Sequence, residues 1–357
     1  MGLVKTRRYV QHVFREEFDP SSFGPIGYVA PACAKRLTGL IGYASRADRL
    51  AGNTTPISMP KHAQFITDVI TEGAARVNQG EGRKLSLKVI VENDSLASFN
   101  RVAISNRASI EATLPINNKY SMVYLGYSSI PKSKTEAIKA AYQSIRGGEM
   151  TPGSNTNGQV SDTNYFAFTI ADGSQKSFTK KEMKSITSLL DTFGHDSESA
   201  TTLVMNNSNI IGLVSDMRTE EIVGISVTEA RTVNFSNGES IRIAQLTDGV
   251  VADSSRGKEL YKNLLGEVLK RIYSNHKDII LIFGESDLSS GYLTLLAANQ
   301  GRRFCGVLSD HMHIRNKSTG ELELRSLQVT SMHRADIGRI IGAHQIDHQA
   351  EREIVRA

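Results

Sequence analysis

The sequence predicts a mixed α/β protein in two parts: a larger C-terminal α/β domain on a mixed (α+β) sheet and a smaller N-terminal α/β domain. Three observations carry this. Residues 163–330 set out as strand, helix, three strands, helix, strand, helix and further strands. Residues 60–130 run helix, strand, helix, strand, strand. Between them, 146–162 is rich in Gly, Ser, Asn and Thr, the composition of a flexible connection. A chain of 357 residues also exceeds the usual size of one core.

Taken in order, 1–59 is an N-terminal extension punctuated by Pro20, Gly24, Pro25, Gly27 and Pro31, with one helical piece expected over 32–40. In the small domain, 60–145, Phe65, Ile66, Val69, Ile70 and Val77 share a helical face. Leu85, Leu87, Val89 and Val91 alternate as a strand. Asp94 or Ser95 is placed to cap a helix carrying Leu96, Phe99, Val102 and Ala103. Strands follow over 109–114 and 121–127 across an Asn117-Asn118 turn, then a helix over 132–145.

The second domain, 163–330, opens with a strand over 165–170. Thr179 then starts a helix presenting Met183, Ile186, Leu189, Leu190 and Phe193. Strands over 210–215 and 222–234 lead through Ser236-Asn237-Gly238, a hairpin signal, into a strand over 241–251. Leu260, Leu264, Leu265, Val268, Leu269 and Ile272 form one face of the next helix. Ile279-Ile280-Leu281-Ile282-Phe283 suits a strand buried on both faces. A helix over 291–299 ends at Gly301, and strands cover 303–308, 311–314 and 322–330. Residues 331–357 are a charged tail.

Composition excludes several functions. A net charge of +5 without a dense basic cluster, no Trp and few interleaved aromatics argue against nucleic acid. No apolar run reaches membrane-spanning length, and the N-terminus lacks the apolar core of a secretion signal. Cys33 and Cys305 are far apart and in no motif, so a reducing, cytoplasmic setting is expected.

The turn between the 241–251 strand and the following helix reads Asp253-Ser254-Ser255-Arg256-Gly257-Lys258. A strand turning through small residues into a helix leaves unpaired N–H groups at the helix start, which suit a phosphate. Val251, Arg256-Gly257-Lys258, Leu260 and Leu264-Leu265 together resemble the acyl-CoA pyrophosphate loop of GNAT-type N-acetyltransferases. Glu259 and Tyr261 depart from it, standing where that loop carries small residues. Narrower fragments are similar to the β-lysine N-acetyltransferase family: Ile110 to Pro115, Leu246-Thr247-Asp248, and Gly301 to Leu308. On this resemblance the N-terminal domain is either a half-copy of the GNAT domain or an unrelated α/β cap.

The resemblance implies acetyl-CoA or another acyl-CoA as co-substrate, without a metal, and a small amino-acid-like amine as acceptor. The pyrophosphate would rest on backbone N–H groups of Arg256, Gly257, Lys258, Glu259, Leu260 and Tyr261. Backbone at Val250 and Val251 would hold the pantetheine arm, between two strands that splay apart. The amine attacks directly, without a covalent enzyme intermediate, after losing a proton. Asp248 is the first candidate for that base and Glu285 the second; Gln245 cannot take a proton. Tyr292 would protonate the leaving thiolate. His311 and His313 alternate on one strand but lack a third ligand, and His344 and His348 lie in the charged tail. Three alternatives stand beside this: a biosynthetic intermediate as acceptor, a protein lysine as acceptor, or a catalytically degenerate module that binds without reacting. A homodimer stays open.

Overall fold

The computed structural model describes residues 36–41, 53–54, 56–78, 84–128, 165–173, 176–193, 195–235, 237–256, 258–288, 293, 296–297, 300–315 and 322–338. The helix expected over 132–145, the connection at 146–162 and most of the tail lie outside them. The N-terminal half comprises β1 (Arg36–Ile41), β2 (Asn53–Thr54), α1 (Ala63–Asn78), β3 (Lys84–Glu92), α2 (Leu96–Ser105), β4 (Ser109–Pro115) and β5 (Tyr120–Ser128). The C-terminal half continues with β6 (Phe166–Asp172), α3 (Lys180–Leu190), α4 (Ser197–Met205), β7 (Asn209–Asp216), β8 (Glu221–Phe235) and β9 (Ser240–Val251). It closes with α5 (Leu260–Asn275), β10 (Ile279–Asp287), β11 (Arg303–Arg315) and β12 (Leu322–His333). Among the described residues no helix is long and apolar enough to cross a membrane.

All the described strands join one mixed sheet, in the order β1-β3-β5-β4-β11-β12-β10-β9-β8-β7-β6, with β2 beside β8. That order contains one path twice. β1 lies parallel to β3, β5 antiparallel to β3, and β4 antiparallel to β5. Likewise β9 lies parallel to β10, β12 antiparallel to β10, and β11 antiparallel to β12. The irregularities match too. β4 shifts register between Ile110 and Ala112, and β11 between Phe304 and Gly306. Arg107 and Gly301 both have left-handed φ, at 59° and 64°. Each is followed by an N–H bonded five residues back, Ala108 to Ala103 and Arg302 to Ala297. The two copies meet where the equivalent residues Ala112 and Gly306 pair antiparallel. Following the registers outward, Tyr124 matches Val329, and Lys88 matches Glu285.

The sheet curls so that the inner faces of the two halves bury each other. Ile90, Leu114, Met122 and Tyr124 pack there with Ile243, Phe283, Leu308 and Val329. The helices lie outside: α1 and α2 cover Leu85, Leu87, Val89 and Val91, and α5 covers Ala244, Leu246 and Ile282. Helices α3 and α4 cover Leu213, Ile225 and Val227. The alternation in β3 and the two-sided burial of β10 are therefore as the sequence predicts. Thr179 caps α3 in a reciprocal box with Glu182.

Two local expectations are corrected. The run around 32–40 is not helical where it is described: 36–41 is β1, because Thr38 and Ile41 suit an extended chain and the edge of β3 offers unpaired backbone groups. Ser95 stands at the N-cap of α2 but makes no capping bond; its Oγ accepts the Met59 N–H at 2.8 Å instead.

Candidate functional site

β9 and β10 pair in parallel only as far as Leu246 and Gly284. Beyond them β9 runs to Val251 against β8, and β10 runs to Asp287 against β12. The two strands thus diverge, leaving a wedge with its vertex at Leu246 and Gly284. On the β9 flank the register with β8 shifts, so Thr247 and Asp248 both stand opposite Val227. This bulge brings Asp248 to His195, from the loop between α3 and α4, with Oδ2 at 3.4 Å from Nε2. Both side chains are nearly enclosed, at 8 % and 2 % exposure. A groove of about 550 Å³ lined by Lys184, Thr187, Asp191 and Thr201 reaches His195 from outside. A larger groove, about 800 Å³, lies at the opposite end of β9, between Lys119, Glu239 and His333.

On the β10 flank Glu285 faces the N-terminal half. Its Oε1 accepts Lys88 Nζ at 2.8 Å, the Tyr124 hydroxyl at 2.7 Å and Gln245 Nε2 at 3.3 Å. Lys88 also lies over the Tyr124 ring, 5.1 Å from its centroid. Burial, then the Glu285 charge, pushes the Tyr124 hydroxyl well above its ordinary value, so it stays a donor. One wall of this flank is therefore supplied by β3 and β5.

The mouth of the wedge is the start of α5. Glu259 occupies its N-cap in a left-handed conformation, φ 52°, and gives no side-chain cap. A carboxylate side chain there is strained where glycine would not be. The first N–H groups of α5 have no side-chain cap, and the helix dipole adds to their pull on an anion. Glu259 pairs with Lys262 at 3.3 Å, and Arg256 with Asp253 at 2.8 Å, all exposed. Lys258 lies over the Phe166 ring at 5.0 Å. Leu260 is buried. Tyr261 places its hydroxyl against Gly249, where a Cβ would sit 2.5 Å from the ring's Cζ. Val250 packs toward α3 and α4, and Val251 toward α5.

Asp248, Val250 and Val251 thus lie on the β9 flank of the splay, Glu285 lies on its β10 flank, and α5 starts after β9. Gly257 and Tyr292 lie outside the described residues, as do His344, His348 and the side chains of His311 and His313. Among the described residues no cluster of three or more His, Cys, Asp or Glu side chains could hold a metal. Sequence reasoning missed His195, Lys88 and Tyr124. His195 directly precedes Asp196, which caps α4 by accepting the Ser199 N–H at 2.7 Å, so an N-cap signal was present for an element not expected.

Together the fold and site define a mixed α/β protein whose C-terminal half carries the strand splay that the GNAT resemblance implies. No family model and no curated protein matches the chain. Among solved structures it is similar to Arabidopsis thaliana NAA60 in complex with acetyl-CoA, at 12 % identity and TM-score 0.38, covering 47 % of this chain and 98 % of that one. It is also similar to a ribosomal-protein-alanine N-acetyltransferase from Brucella melitensis, at 14 % identity and TM-score 0.36, covering 46 % and 99 %. An IAA acetyltransferase from Bacillus cereus gives 15 % identity and TM-score 0.33, covering 47 % and 99 %. Likenesses this distant carry no weight for function; the geometry of the wedge does.

Proposed function

We propose that the chain is an N-acyltransferase that moves an acyl group from acyl-CoA to the amine of a small amino-acid-like acceptor, of the kind handled by the β-lysine N-acetyltransferase family. The observation that carries this reading is the wedge: parallel strands that diverge beside an uncapped helix start. A thioester can lie between the strands while its pyrophosphate rests on Leu260 and Tyr261 N–H groups, with Arg256 and Lys258 adding charge. Backbone freed from pairing at the splay, around Val250 and Val251, can polarise the thioester carbonyl.

A lysine-like amine arrives protonated, with pKa about 10.4. Asp248, with His195 behind it, takes that proton; the nitrogen then attacks, the C–N bond forms and the C–S bond breaks. The thiolate takes up a proton, the step for which the resemblance implies Tyr292. Glu285, already engaged by three donors, suits holding the acceptor's ammonium better than removing its proton. The degenerate-module alternative draws on the Glu259 carboxylate at the mouth and on Tyr261 packed against Gly249.

Calorimetric titration with acetyl-CoA and free CoA, repeated with Arg256→Glu, tests the donor site; the substitution should weaken binding by roughly tenfold or more. An amine panel headed by β-lysine then reads turnover, and Asp248→Asn should lower kcat by roughly 10²- to 10⁴-fold with CoA binding retained. Binding without turnover of any amine would select the degenerate module. Absence of binding to free CoA and to every thioester would remove the acyltransferase reading.

A further inference from the structure

Arg302 takes no role in the acyl transfer outlined above. It follows Gly301 at the end of the helical turns that carry Leu296 and Ala297, and its guanidinium lies over Gly284, at the vertex of the wedge on the α5 side. A Cβ on Gly284 would stand 3.4 Å from its Nη1 and 3.6 Å from the Leu246 Cβ. Its Nε and Nη2 are shut off from water and, among the described residues, have no hydrogen-bond partner. Two enclosed donors of a half-buried guanidinium left without a partner are costly, more so than an apolar side chain in the same place. Burial draws its pKa down to about 10, with the nearby Tyr261 acting in the opposite direction.

The internal repeat shows what the fold itself needs at this place. By the matched registers Arg302 corresponds to Ala108, and Gly284 to Leu87. Ala108 and Leu87 are buried together in an apolar core. The C-terminal copy keeps the backbone and exchanges that apolar pair for a bare glycine and a cation. Packing alone would be met by Leu and Ala.

We propose that the closed end of the β9–β10 wedge is a carboxylate site built on Arg302, so that the donor's acyl group is that of a dicarboxylic acid. This rests on the acyltransferase reading above. A linear donor held at the mouth by its pyrophosphate presents its acyl end to the vertex, where an acetyl group leaves the enclosed Nε and Nη2 donors unpaired. The distal carboxylate of a malonyl, succinyl or glutaryl group accepts a charge-assisted bond there. The reaction balances as before: C–N forms, C–S breaks, one proton leaves the amine and one joins the thiolate, and the distal carboxylate passes through unchanged.

The experiment is calorimetry on the full chain, without acceptor, using free CoA and its acetyl, malonyl, succinyl and glutaryl thioesters. Wild type, Arg302→Met and Arg302→Lys are compared. At least one dicarboxylic thioester should bind about ten- to a hundredfold more tightly than acetyl-CoA, the range of a bond to a charged group. Arg302→Met should erase that preference without weakening acetyl-CoA, and Arg302→Lys should keep some of it. The apo Arg302→Met protein should melt no lower than wild type, because two enclosed donors without a partner are removed. Should that variant fail to fold, the wild-type thioester series decides by itself. Acetyl-CoA binding as tightly as every dicarboxylic thioester overturns the proposal and leaves the acyltransferase standing, its guanidinium then serving pantetheine carbonyls or the acceptor's own carboxylate. Failure of free CoA and all thioesters to bind overturns both.

Discussion

Lys88→Met is the most informative single change. Lys88 and Glu285 sit 2.8 Å apart with side chains 7 % and 10 % exposed. At an effective dielectric of about 20 the bare attraction is about 6 kcal/mol, most of it offset by the desolvation of both ions. What an experiment reads is truncation: methionine leaves the Glu285 carboxylate enclosed without its cation, beside the neutral donors Tyr124 and Gln245. Loss of one partner of a buried pair costs about 3–5 kcal/mol. Two surviving hydrogen bonds place this case near 3 kcal/mol. Adding Glu285→Gln removes the stranded charge, and the double variant should return to within about 1 kcal/mol of wild type. Urea unfolding followed by far-ultraviolet circular dichroism, on both single variants and the double, closes the cycle. A Lys88→Met protein within about 1 kcal/mol of wild type, or a double variant whose loss equals the sum of the singles, would refute the coupling.

Two further outcomes are expected. Gly306→Ala should cost about 3 kcal/mol or more by urea midpoint, since φ is 152° and the new Cβ would stand 2.6 Å from the Ala112 Cα; an unchanged midpoint would mean the two half-sheets are not held at this seam. Arg271 first, and then His276, hold Asp172 at a pKa of about 2, so Asp172→Asn should cost about 2 kcal/mol near neutrality. Because the folded pKa is the lower one, that contribution is complete above the unfolded value near 3.9 and is lost as pH falls through about 2. The stability gap between the two proteins should therefore close between about pH 4 and pH 2, and a gap that persists there contradicts the pairing.

Much of the fold was legible because its signals are local. Leu85, Leu87, Val89 and Val91 alternate, and all four lie in one core. Thr179 starts α3 as expected, and the structure adds Glu182, three residues on, to close its cap into a box. β1 was hidden because its pairing partner is distant in sequence, and only Thr38 and Ile41 of its six residues favour an extended chain. α4 was hidden because Ser197–Met205 buries only Ala200 and Val204, too few apolar side chains to mark a face. His195 went with it. In the site, Asp248 and Glu285 could be named from their places on strands, but their partners could not. Lys88 lies on the polar side of an alternating strand, which ordinarily faces water. Only the return of the sheet over itself, a contact between residues 88 and 285, encloses it.

The matched positions of Lys88 and Glu285 have a consequence for symmetry. Two identical half-sheets meeting about a twofold axis would set the same residue against itself at this place, lysine against lysine or glutamate against glutamate. Either repeats a like charge in an enclosed space, which is repulsive. A chain that carries both copies is free of that constraint: each copy keeps one sign, and the axis becomes the place where they attract. The covalent link also makes the contact independent of protein concentration, so the flank of the wedge built by the first half survives a dilution at which unlinked subunits would dissociate.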